Sequence, residues 1–166
     1  MSYATIIYEV DAADRVATIT LNRPHALNAF NRTMCHEVRD AWHQIKGDPG
    51  VNAVVLRAAG DRAFCAGLDV REDYGQPDDV WNHEDPGELL SPKWQKVWKP
   101  VVCAVQGICT AGAFYFLNES DIVICSDDAT FFDSEFRLDV DGQTIGATGG
   151  NNEVVAANSS REHALA

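Results

Sequence analysis

The sequence predicts an α/β fold in which some strands pair in parallel. Continuous apolar runs of strand length recur at residues 53–56, 101–105 and 122–125, and segments with turn or helical character lie between them. Strands that alternate with helices in this way usually pair in parallel. A chain of 166 residues is suitable for one domain with its own core.

The first part of the chain predicts a hairpin followed by a helix. Residues 5–10 and 16–21 are β-branched runs separated by an Asp-containing turn, the pattern of a β-hairpin. The apolar period then changes to the helical one, at Met34, Val38, Ala41, Trp42 and Ile45. Asn31 is the expected N-cap, and Gly47 followed by Asp48-Pro49 ends the helix.

The middle of the chain is less regular. Residues 71–90 are rich in Asp, Glu, Pro and Gly, so we expect a mobile loop or a weak helix there. Trp94 and Trp98 stand four residues apart, which suggests a helix that ends before Pro100. The sequence of a buried strand, a glycine-containing turn and the start of a polar or helical segment occurs around 56–69 and again around 101–112. This is a loose internal similarity.

The charge of the chain argues against two classes of main partner. The formal net charge is −12 at pH 7, whereas nucleic acids and anionic membranes favour a basic face. A polyanionic small ligand would therefore have to be held by local backbone donors and a few cations. The N-terminus lacks a signal-peptide pattern and no apolar run reaches membrane-spanning length, so we expect a cytoplasmic protein.

The cysteines are expected to be structural. Cys35, Cys65, Cys103, Cys109 and Cys125 form no CxxC pair and no cluster with histidine. Their odd number and the apolar neighbours of two of them favour reduced, buried thiols over disulfides or a zinc site. We predict no metal site.

Two glycine-containing segments are candidates for chemistry. Residues 64–69 and 105–113 are both rich in small residues, which let a ligand or another chain segment approach the backbone. A helix that starts near Gly112 would offer unpaired N–H donors, and donors from two segments can hold one developing oxyanion. Tight packing of a helix on a strand also selects small residues, so this alternative stays open.

Four segments, in order, resemble the crotonase (enoyl-CoA hydratase/isomerase) superfamily. They are LNRPHALNA at 21–29, AFCAGLD at 63–69, KPVVCAVQG at 99–107 with Ala-Gly-Ala at 111–113, and Asp-Ile at 121–122. The likeness extends from about Tyr3 to Phe132. It implies a truncated crotonase-like spiral of β-β-α units, with a partial core at 1–135. We expect residues 136–166 to form an atypical polar tail that is poorly ordered.

The resemblance also implies a function. Members of the family bind acyl-coenzyme A thioesters and stabilise an enolate, which suggests a role in fatty acid metabolism. By position, the oxyanion donors are the backbone N–H groups of Ala66 and Gly112. The residues that would bind the coenzyme are Arg23, His25, Ala26, Ala63, Phe64, Leu68 and Asp69. No cofactor is implied beyond the coenzyme A of the substrate, and a complete fold would form a homo-oligomer, a trimer or hexamer.

The departures from the family pattern leave the activity open. Hydratases of the family carry two glutamates, and Tyr115 stands in the place of the first. A tyrosine with an ordinary pKa near ~10 is a poor general base at neutral pH. Glu135 is in register with the second glutamate, although Ser134 replaces the usual proline. The chain is therefore either a hydratase or isomerase, or a catalytically silent fragment that acts as a binding or assembly module. A P-loop or Rossmann fingerprint is absent.

Overall fold

A computed structural model describes residues 2–74, 81 and 85–132, together with the backbone of two strands at 137–140 and 143–146. The helices and strands are β1 (Ile6–Asp11), β2 (Val16–Leu21), α1 (Arg32–Gly47), β3 (Ala53–Ala58), β4 (Ala63–Cys65), β5 (Val101–Val105), β6 (Ile108–Thr110), α2 (Phe114–Leu117), β7 (Ile122–Cys125), β8 (Thr130–Phe132), β9 (Arg137–Val140) and β10 (Gln143–Gly146). Three short 3-10 helices lie at Pro24–Ala26, Pro86–Leu89 and Ala111–Ala113.

The predicted hairpin and first helix are confirmed. Strands β1 and β2 pair antiparallel, with Ile6 opposite Leu21. The side chain of Asn31 accepts a hydrogen bond from the Met34 N–H at 3.0 Å and caps α1. All five apolar side chains that set the helical period are buried, so this face of α1 supplies a large part of the core.

From β3 to β8, successive strands of the chain contribute alternately to two sheets. A five-stranded sheet has the order β1-β2-β3-β5-β7, and a three-stranded sheet has the order β4-β6-β8. Apart from the β1–β2 hairpin, all these pairings are parallel. Each consecutive pair, β3–β4, β5–β6 and β7–β8, therefore adds one strand to each sheet. The internal similarity between residues 56–69 and 101–112 corresponds to the first two of these units.

The last unit stands at the edge of both described sheets. Strand β7 pairs with β5, and β8 pairs with β6. Large apolar side chains of this unit are exposed, with Ile122 53% and Phe132 45% accessible. Strands β9 and β10 form a separate antiparallel pair.

The helix predicted around Trp94 and Trp98 is wrong. The chain forms successive turns there, and Lys96 has φ of 59°, a left-handed conformation that interrupts a right-handed helix. Both tryptophans are largely exposed, whereas Val97 between them is buried. Their spacing does not mark a buried helical face.

The Asn28 side chain ties three segments together. It is buried, donates to the carbonyl oxygens of Ala59 at 2.8 Å and Ala63 at 2.9 Å, and accepts from the Arg23 N–H at 2.8 Å. These bonds fix the loop after β2 against the turn between β3 and β4. Asn28 therefore has a structural role within the segment that resembles a family motif.

We expect Asn28→Ala to lower the free energy of unfolding by about 2–4 kcal/mol, since a buried polar group left unsatisfied costs about 1–3 kcal/mol. Urea titration followed by circular dichroism measures this change. The control is Asn118→Ala, at an exposed position after α2, which should stay within about 0.5 kcal/mol of the wild type. Equal stability of the two variants would contradict the role of Asn28.

Candidate active site

The two glycine-containing segments meet. Strands β4 and β6 are parallel neighbours, with Cys65 in register with Cys109, so the residues that follow them leave the same edge of the sheet. Gly67 has φ of +84°, and a Cβ added to it would lie 2.9 Å from Ala111 Cβ and 3.1 Å from Gly112 N. The structure thus brings the segments at 64–69 and 105–113 into direct backbone contact. Both hypotheses for these segments, donors for one oxyanion and tight packing, require this contact.

The Ala66 N–H is engaged in this structure. It donates to the Leu27 carbonyl oxygen at 3.1 Å, and Leu27 has a left-handed φ of 51°. This bond connects the loop after β2 to the end of β4. A ligand oxygen that uses Ala66 has to share this N–H or displace the Leu27 carbonyl.

A buried hydroxyl lies beside the same contact. Thr110 is 5% exposed, and its carbonyl oxygen would lie 3.3 Å from a Cβ on Gly67. Among the described residues, its Oγ1 has no hydrogen-bonding partner. An unsatisfied buried hydroxyl is uncommon, and here it stands at the start of the turn that carries Gly112.

Asp69 is the centre of an ion-pair cluster. Arg23 donates to its Oδ2 at 2.9 Å and Arg71 to its Oδ1 at 2.8 Å. The hydrogen bonds from Arg71 and then Arg23 hold the pKa of the Asp69 carboxyl well below its usual range, against the opposing effect of burial. The Arg23 side chain, 13% exposed, also donates to the Ala29 carbonyl. The guanidinium group is therefore held by groups of the protein itself.

The other predicted coenzyme-binding residues occupy three kinds of environment. His25 is exposed and Ala26 is half-buried. Ala63 and Phe64 are core residues, and the Phe64 ring meets Phe116 edge-on with centroids 6.0 Å apart. Their side chains are buried in the core, so that only their backbone can line a ligand path.

Leu68 lines a cavity of about 540 Å³ beside the contact of the two segments. The wall includes Phe30, whose ring would lie 2.6 Å from a Cβ on Gly112. The cavity is also lined by Asp85, Pro86 and Leu89. A volume of several hundred cubic ångströms is typical of a small-molecule site.

No sequence pattern indicates the role of Asp85, one of the carboxylates in this cavity. Asp85 accepts a hydrogen bond from the Tyr115 hydroxyl through Oδ2 and from the Gly87 N–H through Oδ1, the latter at 2.8 Å. Tyr115 was identified as a departure from the family pattern, but its partner lies in a segment that has no clear periodicity. The predicted Glu135 lies outside the described residues.

The predicted burial of the cysteines is found for four of the five, and Cys125 is half-buried. All five cysteines are unpaired thiols. Burial raises the pKa of Cys35, Cys65 and Cys109 to about 12, which makes them poor nucleophiles at neutral pH. Within the described ranges, no three His, Cys, Asp or Glu side chains come together as metal ligands would.

We expect Gly67→Ala to lower the free energy of unfolding by about 1–3 kcal/mol, the usual cost of a strained backbone conformation. The added methyl group also pushes against Ala111 and Gly112. Gly47→Ala is the matched control, because a Cβ at Gly47 meets nothing within 4 Å. Urea unfolding of both variants measures the difference, and equal stabilities would contradict the contact.

The Asp69 cluster predicts a pH dependence of stability. The folded-state pKa of Asp69 is lowered, so its contribution is present above the unfolded pKa of about 3.9 and is lost as the pH falls through the folded-state value. The difference in unfolding free energy between the wild type and Asp69→Asn should be largest near neutral pH and shrink below about pH 4. A difference that is constant between pH 3 and 7 would count against this cluster.

Comparison with known proteins assigns the chain to a family. A family model described as enoyl-CoA hydratase/isomerase matches residues 11–150. A probable enoyl-CoA hydratase of Rhizobium meliloti is 35% identical over 160 residues, which are 95% of this chain and 58% of the relative. A hydroxycinnamoyl-CoA hydratase-lyase of Pseudomonas fluorescens is 32% identical over 135 residues, 78% of this chain and 49% of the relative.

The structural comparison agrees. The crystal structure of an enoyl-CoA hydratase/isomerase from Mycobacterium paratuberculosis superposes with a TM-score of 0.68 and 42% identity, covering 80% of this chain and 52% of that one. The crotonase-like α/β fold predicted from the sequence is thereby confirmed. The chain spans about half the length of the relatives it matches. In its described part, no helix is both long and apolar enough to cross a bilayer.

Proposed function

Because the chain belongs to the enoyl-CoA hydratase/isomerase family, we propose that it binds an acyl-coenzyme A thioester and stabilises an enolate at the thioester oxygen. The donors are the backbone N–H groups of Ala66 and Gly112. The observation that carries this proposal is the contact of Gly67 with the Gly112 nitrogen, because it sets the two donor segments side by side.

The chemistry needs this kind of site. Removing the C2 proton of a thioester places negative charge on the carbonyl oxygen, and fixed main-chain donors stabilise that charge without reorganising. One such donor is typically worth about 3–4 kcal/mol. The neighbouring cavity, with Phe30 and Leu68 in its wall, accommodates the acyl group.

The Leu27 carbonyl is a competitor for one donor. An oxygen that carries negative charge accepts a hydrogen bond more strongly than a neutral carbonyl does. The enolate therefore draws the Ala66 N–H away from Leu27 more effectively than the ground-state thioester does. Such a preference for the charged species is what accelerates a reaction.

The coenzyme is proposed to follow the backbone of residues 63–69. Arg23 is paired with Asp69 and bonded to the Ala29 carbonyl, so this arginine supports the loop, whereas exposed His25 would lie near the phosphates. The family supports a role in fatty acid metabolism, with no cofactor beyond coenzyme A. We also propose a cytoplasmic location and, for the whole protein, a homo-oligomer.

A second candidate is a catalytically silent binding or assembly module. Two observations favour it: Tyr115 stands at the position of a hydratase glutamate, and the Ala66 N–H is already bonded to Leu27. A silent module would bind a thioester without turning it over, so binding and turnover must be measured separately.

Calorimetry with two ligands tests the donors. Crotonyl-CoA should bind about tenfold more tightly than the corresponding alkyl thioether, which lacks the carbonyl oxygen, since a hydrogen bond contributes about 0.5–1.5 kcal/mol. Equal affinities would contradict the oxyanion site, and no binding of either would contradict the proposed function. Binding without conversion of enoyl-CoA substrates would select the silent module.

A further inference from the structure

We propose that Asp85 is the acid–base carboxylate of this site and that Tyr115 is its positioning residue. This inference rests on the proposed function, because the held thioester oxygen is what makes the C2 proton removable. The reaction that it supports is isomerisation of a 3-enoyl thioester to the conjugated 2-enoyl thioester.

The location of Asp85 carries the first step. Its carboxylate lines the same cavity as Leu68 and Phe30. Leu68 follows the donor segment at Ala66, and the Phe30 ring lies against Gly112. Asp85 thus lines a cavity whose wall also includes Leu68 and Phe30, the neighbours of the two proposed donors, and a carboxylate near a bound carbonyl can deprotonate the adjacent carbon.

Tyr115 connects Asp85 to the Gly112 turn. It lies three residues after Gly112, and its ring would lie 3.7 Å from a Cβ on Gly112. The other end of the side chain donates its hydroxyl hydrogen to Asp85 Oδ2. The position that carries a glutamate in the hydratases of the family thus presents a carboxylate indirectly, through a tyrosine that holds Asp85.

Close packing fixes this pair. A Cβ on Gly87 would lie 2.2 Å from the Tyr115 ring, so the 3-10 turn at Pro86–Leu89 presses on that ring. The Gly87 N–H holds Asp85 Oδ1 at 2.8 Å. Each carboxylate oxygen has two lone pairs, so among the described residues one on each is left for a substrate proton.

A single carboxylate is sufficient for isomerisation. Asp85 removes a proton from C2, and the C–H electron pair forms the C1=C2 bond of a dienolate as charge moves to the thioester oxygen. The same carboxyl group then returns its proton to C4, the carbonyl re-forms, and the double bond lies between C2 and C3. Atoms and charge balance without water, an oxidant or a second base.

Three measurements on the purified chain test the assignment. They are conversion of 3-hexenoyl-CoA, exchange of the C2 hydrogens of butyryl-CoA in D₂O, and calorimetric binding of butyryl-CoA. Asp85→Asn should lower conversion and exchange by at least about 100-fold, the usual worth of a general base. Its affinity for butyryl-CoA should change by less than about threefold, since the oxyanion donors remain.

Tyr115→Phe tests positioning separately, because it keeps the ring and removes only the hydroxyl group. We expect kcat to fall about tenfold with KM nearly unchanged, since a misplaced base affects the chemical step. Asp85→Glu should restore part of the activity lost in Asp85→Asn. Asp14→Asn, in the exposed turn of the hairpin, is the acid-to-amide control and should match the wild type.

The outcomes separate the two proposals. If the wild type binds and isomerises the thioesters but Asp85→Asn retains full exchange, the Asp85 assignment is overturned and the proposed function stands. Loss of exchange in Glu88→Gln instead would move the role to that cavity residue and also overturn it. If the wild type binds no thioester, both proposals fail. Should Asp85→Asn not fold, an unchanged kcat in Tyr115→Phe would still refute the pair.

Discussion

The site depends on one steric constraint, the absence of a side chain at Gly67. Parallel strands β4 and β6 have their carboxyl ends side by side, so the residues that follow them lie close together. Any Cβ at Gly67 would press on Ala111 and the Gly112 nitrogen. The missing methyl group therefore sets how closely the two turns approach. That separation determines whether two main-chain donors from distant parts of the sequence can reach one oxygen atom.

Several side chains of the family-like segments hold the backbone around this contact. The Asn28 side chain bonds to the carbonyls before and within β4, and Arg23 is paired with buried Asp69. Phe64 packs in the core beneath the turn. A motif shared with a family thus contains side chains that hold the backbone in place, and the sequence alone does not distinguish them from groups that could bind a ligand.

Prediction from sequence succeeded where a pattern was long and failed where contacts were few or distant. Helix α1 could be predicted because five apolar residues share one face and Asn31 caps its start. Strands β4, β6 and β8 have three residues each, too few to show a period. The two tryptophans mimic a helical pair although both face solvent. Asp85 was missed because its pairing with Tyr115 joins residues 30 positions apart, and no local signal records such a contact.

The way in which the sheets are extended has a consequence for folding. Each β-β unit docks on the unit that precedes it in the chain, β5 on β3 and β7 on β5, so assembly can follow the direction of synthesis. In the described sheets the last strands to be added are β7 and β8, where Ile122 and Phe132 are exposed. An edge of this kind readily accepts another strand. As long as such an edge is uncovered, it can therefore pair with a strand of another chain.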